Sequence, residues 1–166
     1  MRRPLSILTA VVLVAAIGGG TAVIALSKGS NATVRPRHTS LGTVLADAKG
    51  RTLYLFKKDT TTMSTCSGQC AVNWPPAAAG KKPTVGDGLD SAALGTTKRA
   101  DGKVQVTYAG HPLYRFVGDA NKPGSVKGQG INAFGGKWYV VGTGGKAITK
   151  AAPAAAAPAP SGPSGY

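Results

Sequence analysis

Leu53-Tyr54-Leu55-Phe56-Lys57-Lys58-Asp59 returns 60 residues later as Leu113-Tyr114-Arg115-Phe116-Val117-Gly118-Asp119. The shared frame is Leu-Tyr-x-Phe-x-x-Asp. The same offset pairs Gly42 with Gly102, Gly50 with Gly110, Gly68 with Gly128 and Gln69 with Gln129. One Tyr-x4-Asp arises easily by chance, whereas eight identities at a single offset mark an internal repeat. Side chains alternate between the faces of a strand. Tyr54 and Phe56 therefore share one face, as do Tyr114 and Phe116, while Leu53 and Leu55 point the other way. In the second copy that other face reads Leu113 and Arg115, which predicts partial exposure there. Asp59 and Asp119 follow their strands, at the place where Asp caps a turn through nearby backbone N–H groups. The expectation is two similar β units about a pseudo-two-fold axis, with each Tyr hydroxyl bonded locally and each Asp holding its own turn.

Outward from the repeat, the chain between Ser40 and Gly144 shows little helical periodicity. Gly is frequent, and short runs of Val, Thr, Tyr and Leu lie between turn residues, which is an all-β pattern. Thr43–Ala46 and Arg51–Phe56 read as strands around the turn Asp47-Ala48-Lys49-Gly50. Leu94–Arg99 and Lys103–Tyr108 read as a hairpin turned at Ala100-Asp101-Gly102, since Asp-Gly between apolar runs favours a tight turn. Pro112–Val117 and Lys137–Val141 complete the strands, and residues 77–90 link the copies. The reading is an all-β domain over residues 40–144, with units at about 41–80 and 94–142, preceded by an N-terminal apolar helix.

The flanks differ in kind. Arg2 and Arg3 precede a run from Pro4 to Leu26 with no charged residue. A charged start and an apolar core are the marks of an export signal, and the run is also long enough to span a bilayer as a helix, which needs about 20 residues. Residues 1–27 are therefore read as a signal peptide or a membrane anchor, and the remainder of the chain as extracytoplasmic. Residues 28–39 read as a polar, basic linker. Residues 145–166 read as a disordered Ala/Pro-rich tail, because a stretch so poor in large apolar side chains cannot offset its ordering entropy.

Twenty Lys and Arg against six Asp, with no Glu, give a net charge of +14. Such a surface favours anionic partners. Outside the membrane these are anionic envelope components, lipid headgroups or phosphate-bearing wall polymers, and not nucleic acid. The membrane itself is a partner through residues 1–27 if they are retained.

Cys66 and Cys70 fall in an oxidising compartment, which permits a disulfide. The alternative is an extracytoplasmic copper or redox protein, with Met63, Cys66, Cys70 and His111 as ligands, since thiolates and thioethers suit Cu(I). A redox pair lacks the Cys-x-x-Cys spacing, and no His follows Cys70 for haem attachment. Trp74 and Trp138 read as core residues, with a sugar-stacking platform as the other possibility. Gly128-Gln129-Gly130 is not followed by the Lys-Ser/Thr of a phosphate loop. No Gly-x-Ser-x-Gly exists for a serine nucleophile. Asp59 and Asp119 could serve as paired acids, but each occupies the same place in its own copy, which points to a structural duty. The reading is a non-enzymatic interaction module without a cofactor.

The chain resembles the bacterial secreted-repeat lipoproteins with a Tyr-x4-Asp motif. The resemblance rests on Gly50-Arg51-Thr52-Leu53-Tyr54, Asp59, Ser64-x-Cys66-x-Gly68-x-Cys70-Ala71 and Trp74-Pro75-Pro76 in the first copy. In the second it rests on Asp101-Gly102, Gln105-x-Thr107-Tyr108-x-Gly110, Pro112-Leu113-Tyr114, Asp119, Gly128-Gln129-Gly130 and Trp138-Tyr139-Val140. It implies a small envelope protein built from repeats and carries no biochemical activity to transfer. The family's lipid-anchor cysteine has no counterpart after the apolar run.

Overall fold

A computed structural model describes residues 32–60 and 62–152. The chain is mostly strand. β1 (Val34–Thr39) and β2 (Gly42–Asp47) form a hairpin, and β2 continues through an Ala46–Thr52 bridge towards β3 (Tyr54–Phe56). A five-residue helix, α1 (Gln69–Asn73), comes after them. In the second copy β4 (Leu94–Lys98) and β5 (Val104–Tyr108) form the matching hairpin, extended by β6 (His111–Pro112). β7 (Asn132–Ala133) and β8 (Gly136–Val140) complete a sheet of order β3-β8-β7. Among the described residues no helix is long and apolar enough to cross a membrane. The expected apolar helix, and residues 1–27 as a whole, lie outside the described residues.

The all-β reading and the two copies stand, with two boundary corrections. Residues 34–39, read as linker, are strand β1. Its Pro36 and its charges hide it from a sequence scan, yet β1 is an edge beyond β2, and an edge strand tolerates a residue that cannot donate to the ladder. The expected tail from residue 145 is held in the domain as far as Lys150. Ile148 N–H donates to Val140 O (2.9 Å), and Gln129 Nε2 donates to Ile148 O and Lys150 O (2.6 and 2.8 Å). Ala147 and Ile148 pack against the core. Residues 153–166 of that tail lie outside the described residues.

The copies do not fold side by side. Tyr54 and Tyr114 exchange both backbone hydrogen bonds, each at 2.9 Å, so the two motif strands meet as an antiparallel pair. The segment after each Trp then crosses to the other copy. Ala77 N–H, from the first copy, donates to Leu113 O (2.9 Å), while Val141 N–H, from the second, donates to Leu53 O (3.2 Å). Pro76 bridges Tyr114 just as Val140 pairs with Tyr54, and Ala78 bridges Gln105 just as Gly142 bridges Val44. These backbone contacts of one copy on the other are reciprocal, the rule of a two-fold interface. The molecule is a strand-exchanged pair of repeats within one chain.

Burial obeys the period-two pattern. Leu53 and Leu55 enter one core cluster with Val34, Leu45, Val106 and Leu113. Tyr54 and Phe56 enter a second with Tyr114, Trp74, Trp138, Cys66 and Cys70. Four rings stack in this second core, in the order Phe56, Trp138, Trp74, Phe116, with centroid spacings of 4.1, 3.9 and 4.3 Å. Each Trp therefore lies on the Phe of the other copy. Both Trp side chains are fully buried, which rules out a surface platform for sugars.

Candidate functional site

The motif residues converge at two buried crossings. Tyr54 Oη donates to Asp119 Oδ2 (2.8 Å), and Tyr114 Oη donates to Asp59 Oδ2 (2.5 Å). Each Tyr thus meets the Asp of the opposite copy, which corrects the expectation of local bonding. The exchange of strands carries each ring across the axis before its hydroxyl is reached. The second oxygen of each Asp closes its own loop. Asp59 Oδ1 accepts from Thr65 N–H and Thr65 Oγ1 (both 2.7 Å), and Asp119 Oδ1 accepts from Ser125 Oγ (2.7 Å) and Lys127 N–H (3.0 Å). Both carboxylates are buried, and burial requires such bonds.

Electrostatics reflect depth. Burial, reinforced by the neighbouring carboxylates, raises both tyrosine hydroxyls well above their ordinary 10.0 and keeps them protonated as donors. Asp119 is raised above 3.8 because burial outweighs the bonds from Ser125, Tyr54 and Lys127. With every carboxylate oxygen held from inside the protein, neither Asp is presented to solvent as a free acid or base.

The Tyr114–Asp59 crossing has an additional layer that the sequence does not announce. Arg99, just past β4, is buried. Its Nη1 donates to Ser64 Oγ (2.6 Å) and Gln105 Oε1 (2.8 Å), and its Nη2 donates to Cys66 O (2.6 Å). Ser64 Oγ in turn bonds Tyr114 Oη at 2.7 Å, and Gln105 Nε2 donates to Leu113 O at 2.8 Å. A guanidinium with its fork of donors suits this convergence of acceptors. In the sequence Arg99 is one of two adjacent bases, Lys98 and Arg99, and nothing singles it out.

Cys66 and Cys70 are joined as a disulfide across Ser67-Gly68-Gln69, with α-carbons 5.3 Å apart. Gly68 sits at φ +55°, a conformation that favours Gly. The copper alternative needs both sulfurs as thiolates, and here they bind each other. Met63 is exposed in the loop before Cys66, and His111 lies half-buried on β6, paired with Tyr108. Among the described residues no group of three or more His, Cys, Asp or Glu could hold a metal ion.

No curated protein and no solved structure matches this chain. A family model described as a secreted repeat of unknown function matches twice, over residues 37–78 and 95–142. The two matches coincide with the two exchanging copies and contain the Tyr, Asp and Trp of each crossing. That description places the protein outside the cytoplasm. The chain belongs to this family of secreted repeats.

Proposed function

We propose that the protein is a non-enzymatic interaction module of the cell envelope, that its basic surface meets anionic envelope components, and that residues 1–27 hold it at the membrane where they are retained. The observation that carries this reading is the engagement of the repeated polar residues. Tyr54, Asp59, Tyr114 and Asp119 bond to one another and to their own loops, and they leave no polar motif atom directed at a substrate. What the chain does offer is charge, twenty Lys and Arg against six Asp, and among the described residues only Arg99, Asp59 and Asp119 of these are buried. Charge of one sign raises the local concentration of opposite charge and speeds encounter. It gives attraction without chemistry, which is what a module for holding or bridging envelope polymers requires.

The test is sedimentation of the exported protein with isolated envelopes, before and after extraction of phosphate-bearing polymers and anionic lipid. The expected result is binding that weakens steeply with salt and falls on extraction, because screening acts on exposed charge. Absence of binding at low salt, or binding indifferent to extraction, contradicts the reading.

A further inference from the structure

We propose that Arg35 and Arg37 form a clamp for a phosphate-class oxyanion. This rests on the reading above and names the chemistry taken at one place on the basic surface.

Both residues lie on β1, two apart, opposite Ala46 and Val44 of β2, so they stand on the same face of the hairpin. Their heads converge over the β2–β3 turn. A β-carbon placed on Gly50 would lie 2.8 Å from Arg37 Nη1 and 3.1 Å from Arg35 Nη2. One placed on Gly124 would lie 3.0 Å from Arg37 Nε. Two glycines thus leave room for two guanidinium groups side by side. Among the described residues neither arginine is joined in an ion pair. Among the described residues the ion pairs join Arg51 to Asp47, Arg99 to Asp101 and Lys103 to Asp101. Asp47, in the same turn, gives its carboxylate to Arg51 and to the Lys49 and Arg51 amides. Arg37 Nε is buried without a hydrogen-bond partner. Like charges held together with a donor unmet make a place that an anion would stabilise.

The repeat supplies an internal control. Val34 pairs with Asp47 and Leu94 with Tyr108, which aligns β1 with β4. Gly95 and Thr97 therefore occupy the places of Arg35 and Arg37. The second hairpin forms without cations there, so the fold does not demand them. Guanidinium forks donate paired N–H bonds to phosphate oxygens with a geometry that ammonium groups lack. An open hollow of about 450 Å³ lies along β1, bounded by Arg35, Pro36, Arg37, His38 and Thr43. The phosphate could belong to a lipid headgroup or to a wall polymer.

The test titrates the full exported protein with inorganic phosphate at physiological ionic strength, monitored by backbone NMR shifts. The variant R35Q/R37Q is expected to bind about tenfold more weakly. K57Q/K58Q removes the same charge elsewhere and is expected to stay within about twofold. R35K/R37K keeps the charge and loses the fork, so it too is expected to weaken, and it serves if R35Q/R37Q does not fold. Phosphatidylglycerol vesicles and a glycerol-phosphate polymer, each competed by inorganic phosphate, distinguish the sources: arginine-dependent binding to one of them names it. Equal losses in R35Q/R37Q and K57Q/K58Q, full retention in R35K/R37K, or no saturable phosphate binding overturns the clamp. Arginine-independent binding to polyglutamate of equal strength overturns the clamp while leaving the envelope reading in place. Binding to none of these polyanions or vesicles overturns both.

Discussion

At the Asp59 crossing, Tyr114 Oη shares its bonds with Ser64, Ser64 is held by Arg99, and Arg99 reaches the carbonyl of a disulfide-linked cysteine. At the Asp119 crossing, Tyr54 Oη has backbone partners alone beside its bond to the carboxylate: it accepts from Gly128 N–H (3.3 Å) and reaches Ser125 O at 3.5 Å. The repeat frame shows what differs. Thr39 stands where Arg99 stands, and it serves a local turn through Gly42 O and Leu41 N–H. Gly130 stands where Cys70 stands. The Tyr–Asp bond is thus the part both halves need, and the guanidinium and the disulfide are additions to one half. The halves should respond differently to the loss of those additions.

The largest effect is expected for Arg99→Ala. It strands Gln105 Oε1 and takes the guanidinium from Cys66 O and from Ser64 Oγ, which keeps Tyr114 Oη, and unmet buried groups cost about 1–3 kcal/mol each before relaxation. A loss of about 3 kcal/mol is expected in denaturant unfolding. Thr39→Ala, at the matching place, gives up only the bonds of its own turn and should cost no more than about 1 kcal/mol, the value of an ordinary hydrogen bond. Equal losses would remove the asymmetry. Next is the double variant Cys66→Ser/Cys70→Ser. So short a loop loses little entropy on closure, and the chain model puts the cost at about 2 kcal/mol or less. Amide exchange should quicken around Cys66 and remain unchanged at Lys127. Faster exchange at both crossings would mean that the bridge supports the whole domain.

Much of this architecture was legible from residues. The offset of 60 identified the copies, the alternation of Leu53, Tyr54, Leu55 and Phe56 assigned their faces, and Asp101-Gly102 placed the β4–β5 turn. The exchange was not legible, for a physical reason. A repeat tells which residues are equivalent, but a contact within a copy and the same contact between copies leave identical marks in the sequence. Tyr54 with Asp59 and Tyr54 with Asp119 are indistinguishable until the strands are placed. β1 was missed because Pro36 and three basic neighbours outweighed a weak alternation. Its equivalence to Leu94–Lys98, already read as a strand, would have exposed it. α1 is too short to show a helical period. Arg99 carried no signal because burial of a cation depends on acceptors that come from Ser64, Cys66 and Gln105, distant in sequence or on another strand.

A smaller effect tests the exchange directly. Tyr54→Phe and Asp119→Ala should couple in a double-mutant cycle by about 1 kcal/mol, the value of a typical buried bond. Tyr114→Phe and Asp59→Ala should couple similarly. The sequence-local combinations, Tyr54→Phe with Asp59→Ala and Tyr114→Phe with Asp119→Ala, should be additive within about 0.5 kcal/mol. Coupling in the local combinations would restore side-by-side units and remove the exchange.

The smallest effect lies in pH, and it singles out the crossing without a guanidinium. Burial raises Asp119 above 3.8 in the folded protein, while the unfolded chain titrates near the ordinary value. Between those two values the folded state binds more protons than the unfolded state, so this residue's contribution to stability grows as pH falls. The contribution is complete below 3.8 and is lost as pH rises through the folded value. Other carboxylates can slope the opposite way, so absolute melting curves would mix the two trends. Asp119→Asn removes the titration and keeps the shape, which isolates it. Wild type should gain on Asp119→Asn in melting temperature as the buffer moves from neutral towards about pH 4, the ordinary carboxylate range. A gap that stays constant would mean that Asp119 titrates as an ordinary carboxylate. A gap that narrows would mean that the bonds from Ser125, Tyr54 and Lys127 outweigh burial, and that Asp119 is held ionised as firmly as any paired carboxylate.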